Sequence, residues 1–119
     1  MMHVGYSANV MPVSYDAAVD QEIVNNDIAS AKEFLSNLAI KRECIILTTV
    51  PYVGTKIASA SAVANAVGLN LATPAPLVGL QTMDGGHLDK VSAERWSIAF
   101  FETAGSQIQR CLHKTQVSR

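Results

Sequence analysis

The chain has 119 residues, 49% of them hydrophobic, with 9 basic and 10 acidic side chains and a formal net charge of −1. That length and apolar content suit one small domain whose core rests on Ala, Val, Ile and Leu, because aromatics make up only 6%. The near-neutral balance gives no electrostatic basis for nucleic acid or an anionic membrane as partner, and no apolar run approaches the ~20 residues that span a bilayer.

The opening Met1-Met2-His3-Val4-Gly5 has neither the basic n-region nor the apolar h-region of a secretory signal. The chain as written is therefore expected to be soluble and cytoplasmic, the compartment being open if a longer parent has lost its start. His3-Val4-Gly5-Tyr6 is a short strand candidate, and Pro12 keeps Met11 out of helix. From about Asp16 to Ile40 the pattern is helical, with Val24, Ile28, Ala31, Leu35 and Leu38 forming one apolar stripe at steps of four and three. Asp16, Asp20 and Glu22 crowd its start and Lys41 and Arg42 follow its end, a polarity that suits the helix dipole.

Cys44-Ile45-Ile46-Leu47-Thr48-Thr49-Val50 is apolar without alternation and is closed by Pro51, which reads as a strand buried on both faces of a parallel sheet. Thr55 is placed to cap a helix running to about Val67, with Gly68 as its stop. Leu69-Asn70-Leu71-Ala72 is a weaker strand, ended by Pro74 and Pro76, and 73–89 reads as a loop long enough to carry function. A helix follows from Lys90 to about Leu112, with Val91, Arg95, Ile98, Phe101 or Phe100, and Ile108 marking an inward side.

The order helix, strand, helix, strand, loop, helix predicts an α/β fold, a three-layer α/β/α sandwich on a parallel sheet. Two clear strands beside three helices are few for an independent domain. The single domain, residues 1–119, is therefore expected to be the C-terminal portion of a larger fold, and a partner chain or self-association could complete its sheet. Cys44 and Cys111 make no disulfide framework. Two reduced thiols are the favoured reading and a single bridge the alternative. His3, His87, His113, Cys44 and Cys111 lack metal-ligand spacing, so no metal is expected, and no cofactor-binding motif is present.

Chemistry concentrates in Met83-Asp84-Gly85-Gly86-His87-Leu88. The two glycines allow backbone conformations closed to other residues, so the chain can fold a carboxylate against an imidazole. Such a carboxylate fixes the ring's tautomer and stabilises the imidazolium, as a general base for a serine nucleophile requires. The alternative is an ordinary Asp-Gly-Gly turn beside a surface histidine.

The stretch from Asp84 through Trp96 resembles the final D-x-x-H-L block of SGNH (GDSL-like) hydrolases, which precedes a C-terminal helix. The resemblance covers about 16–112 and implies an SGNH or flavodoxin-like sandwich that hydrolyses small-molecule esters. His87 would be the general base and Asp84 its orienting partner. The family's Gly-Asp-Ser nucleophile block does not occur in the chain. Its oxyanion asparagine has only a loose counterpart in Asn9 of Gly5-Tyr6-Ser7-Ala8-Asn9, where a turn asparagine is the plainer reading. The same five residues approximate a G-x-S-x-G elbow, so an α/β-hydrolase with Ser7 as nucleophile is a further alternative. A non-catalytic remnant or interaction module is another.

Overall fold

The computed structural model describes residues 10–117, with side chains described as far as His113. The described part holds three helices: α1 over Gln21–Ser36, α2 over Ile57–Val67 and α3 over Lys90–Val117. Its sheet has two short antiparallel strands, β1 (Met11–Pro12) and β2 (Gln81–Thr82), in the register Met11 to Thr82 and Pro12 to Gln81. None of the described helices is long and apolar enough to cross a membrane.

The expected three-layer α/β/α sandwich with a parallel sheet is not what forms. The Cys44–Val50 run does not become a strand. Its first residue closes a 3-10 turn, Arg42–Cys44, in which the Cys44 and Ile45 amides donate back to the Lys41 and Arg42 carbonyls. Beyond the turn it meets the Leu69–Ala72 segment at one parallel bridge, Leu47 to Leu71. There the Leu47 amide donates to Asn70 and the Ala72 amide to Leu47. Ile45, Ile46 and Leu47 are half-buried and Val50 is exposed. A parallel ladder requires apolar cover on both faces, and the described residues do not provide it. The His3–Tyr6 strand candidate lies outside the described residues.

The first helix is shorter than its apolar spacing suggests because polar side chains set its ends. The Asp20 carboxylate accepts from the Glu22 and Ile23 amides and caps the N-terminus. Asp16 instead folds its own turn onto the Ala18 amide and pairs with Lys56 at 3.3 Å. At the other end Ser36 and Asn37 both donate to the Glu33 carbonyl. Within α1 the expected stripe is the inward one: Val24 is buried, and Ile28, Ala31 and Leu35 are half-buried while their neighbours are exposed. It faces α2.

Helix α2 ends as expected at Gly68, whose φ of 71° lets the Gly68 and Leu69 amides turn back to Asn65 and Ala64. Arg42 donates to the Val67 carbonyl at this end, serving α2 and not α1. Thr55 is not the N-cap. Its fully buried hydroxyl accepts from the Tyr52 amide at 2.7 Å and donates to the Tyr52 carbonyl at 2.6 Å, which locks the turn before the helix.

Helix α3 buries a different face from the one its aliphatic residues mark. Ser92, Trp96 and Ala104 point inward, Trp96 stacking on Phe100 at 5.4 Å between ring centroids. Val91, Ile98 and Phe101 are 60–65% exposed. The cysteines are also not thiols. Cys44 and Cys111 form a disulfide with Cα atoms 5.3 Å apart, inside the range a bridge requires. The bridge fixes the C-terminal turns of α3 against the 3-10 turn. Beside it Gln107 donates to the Glu43 carbonyl and accepts from Asn70.

Candidate functional site

The extended segment 11–16 holds the molecule's polar centre together. On one side it pairs with β2, and the Val13 amide donates to Leu80. On the other, Ser14 exchanges backbone bonds with Tyr52 and Thr55, and its hydroxyl accepts from the Gly54 amide at 2.8 Å. Strand β2 is tied in turn to the start of α3. The Asp89 amide donates to the Gln81 carbonyl, and the Ser92 hydroxyl accepts from the Gln81 amide. Asp89 also caps α3 through the Ser92 amide. The loop 83–88 springs from this frame.

Within the loop, the Met83 amide donates to the His87 carbonyl at 2.8 Å and Thr82 bridges to Leu88, so its two ends lie side by side. Thr82 is completely buried. Its hydroxyl donates to the Met11 carbonyl and accepts from the Gly85 amide. The Gly85 carbonyl accepts from Val53. Gly85 sits at φ 88°, a conformation that costs a side-chain-bearing residue about 1–2 kcal/mol. Gly86 has no such requirement.

These anchors bring Asp84 and His87 together. Oδ2 of Asp84 lies 2.7 Å from Nδ1 of His87, while Oδ1 accepts from the amides of Gly86 and His87 at 2.9 and 2.8 Å. The carboxylate is thus held by its own loop and aimed by it. The hydrogen bond from the His87 ring, and then those from the two amides, keep the Asp84 carboxyl below its ordinary pKa. The His87 side chain is 76% exposed. With Nδ1 committed to Asp84, Nε2 is the ring nitrogen that Asp84 leaves open.

Both expected catalytic residues are therefore in contact, on an open surface. Asn9 and Ser7 lie outside the described residues. A cleft of about 280 Å³ lined by Glu43, Asn70, Gln107, Arg110 and Cys111 sits at the disulfide end of α3 and contains neither member of the dyad. Among the described residues no three His, Cys, Asp or Glu side chains are grouped so as to hold a metal ion. Sequence reasoning missed Thr82, Gly85's specific backbone demand and the Ser92 tie. Thr82 carries no motif; only its position two residues before Asp84, at a buried strand end, would have marked it. The chain matches no protein-family model, no curated protein and no solved structure.

Proposed function

We propose that the Asp84–His87 pair is the orienting carboxylate and general base of a serine ester hydrolase of SGNH type. The observation that carries the reading is the 2.7 Å contact between Asp84 Oδ2 and His87 Nδ1, with the other carboxylate oxygen fixed by two loop amides. A carboxylate so held keeps the imidazole proton on Nδ1 and leaves Nε2 as the acceptor. In the reaction, Nε2 takes the proton of a serine hydroxyl as its oxygen bonds to the ester carbonyl carbon. The tetrahedral adduct then expels the alcohol, which takes that proton from the ring. Water, deprotonated by the same nitrogen, attacks the acyl-serine carbonyl; the serine oxygen leaves with that proton returned from the ring, and the acid is freed. The chain contains no Gly-Asp-Ser block, so the reading assigns the nucleophile to Ser7 or to another serine of the chain.

Hydrolysis of p-nitrophenyl acetate by the 119-residue chain tests the base. The rate is expected to exceed that of buffer and to fall to the buffer rate in His87→Ala. Asp84→Asn should cost at least about tenfold, a part of the roughly 10²–10⁴-fold that a positioned general base contributes. Equal rates for the wild type and His87→Ala would remove the proposal. Ser7→Ala separates the two sources of nucleophile: a rate that collapses with it assigns Ser7, and an unchanged rate excludes it.

A further inference from the structure

Helix α3 carries a second apolar stripe, opposite the face it buries. Val91, Ile98, Gly105 and Leu112 recur every seven residues, and Phe101 and Ile108 fall between them at the alternating step of three and four. Val91, Ile98, Phe101 and Leu112 are each 59–65% exposed. Gly105 is the odd member. A Cβ built on it would meet nothing within 4 Å. Glycine inside a helix costs about 0.5–1 kcal/mol relative to alanine, yet nothing among the described residues occupies the space a side chain would take. The gap faces outward, as a hole for a neighbouring helix does.

We propose that this face pairs, antiparallel, with the same face of a second copy of the chain. Charge argues for this occupant and this direction. Arg95 and Glu102 lie seven residues apart along one edge of the stripe. An antiparallel pairing centred between residues 99 and 100 sets Arg95 of each copy against Glu102 of the other, twice over. It also sets Ile98 against Phe101, Val91 against Ile108, and Glu94 against the gap at Gly105 of the second copy, where its carboxylate has room to reach water. A parallel pairing would instead bring Lys90 of one helix toward Arg95 of the other, a repulsive contact. The net charge of −1 opposes association only weakly. The overlap from Val91 to Ile108 is about 26 Å of helix, a small interface, so the dimer should dissociate in the micromolar range.

Sedimentation equilibrium of the full chain, at concentrations spanning the micromolar range, tests this. The expected result is a monomer–dimer equilibrium weakened at least about tenfold by Ile98→Glu and by Phe101→Glu, because each buries a charge in the seam. Both sites are exposed in the single chain, so circular dichroism should be unchanged. Arg95→Glu and Glu102→Arg should each weaken the dimer, and the double variant should restore it. That compensation isolates the intermolecular pair, since Arg95 also donates to the Val78 carbonyl within the chain. A monomer at every concentration overturns the proposal, whether or not some other protein binds the face. A dimer indifferent to Ile98→Glu, or charge reversals whose effects add without compensating, overturns it equally.

Discussion

Replacing both Cys44 and Cys111 with serine, or reducing them, should cost this chain a large share of its stability. The bridge joins residues 67 positions apart. Closing a loop of that length lowers the entropy of the unfolded chain enough to stabilise the fold by about 4 kcal/mol at 25 °C. Domains of this size are stable by only about 5–15 kcal/mol in total. Among the described residues, a side-chain relay through Asn70, Gln107 and the Glu43 carbonyl also holds this helix end. Urea unfolding followed by circular dichroism should therefore shift its midpoint down by about 2 M for a denaturant slope near 2 kcal/mol/M. The reduced wild type and the double-serine variant should unfold alike. A thiol titration before reduction should find no free cysteine, and after reduction should find both. Coincident urea curves for the oxidised and reduced protein would refute the reasoning. Bridges of this kind persist in oxidising compartments, so the chain isolated from a reducing cytosol should show both thiols free.

Three further substitutions probe the loop. Gly85→Ala should destabilise the protein by about 1–2 kcal/mol, because φ 88° is hostile to a Cβ, whereas Gly86→Ala should be close to neutral; thermal melts of the two side by side read the difference. Thr82→Val leaves the Met11 carbonyl and the Gly85 amide without their buried partner and should cost about 1–3 kcal/mol, with hydrogen exchange rising first at Gly85. Asp84 has a folded-state pKa below its unfolded value, so its contribution to the loop is complete above the unfolded value and disappears as pH falls through the folded one. The amide resonances of Gly86 and His87 should accordingly move together at a midpoint below the usual ~3.9 of an aspartate. In Asp84→Asn that transition should be absent.

How much of this was legible in the sequence depended on whether the deciding interaction was local. The stripe Val24, Ile28, Ala31 and Leu35 identified the inward face of α1, and Gly68 marked the end of α2 by the left-handed turn only glycine takes easily. Asp84 and His87 were legible because the hydrogen bonds that join them close within three residues. Helix α3 was harder because it carries two stripes. Spacing alone favours the aliphatic one, while the structure buries the one containing Ser92, whose hydroxyl is satisfied by Gln81. Thr55 has the side chain of an N-cap, but it spends its hydroxyl on Tyr52. The 44–50 run has strand composition. Its pairing depended on distant residues, and the disulfide consumes its first one in a turn. The bridge itself joins the 3-10 turn to the far end of α3, which no local pattern records.

The claim on which the functional reading turns is that Asp84 fixes the proton of neutral His87 on Nδ1. Long-range proton–nitrogen NMR of the chain with labelled histidine reads this directly, at a pH where the ring is neutral. The expected spectrum has a protonated Nδ1 and a bare Nε2 in the wild type, and the reverse preference in Asp84→Asn. A wild-type ring that carries its proton on Nε2, or that is indifferent to the Asp84 substitution, would contradict it.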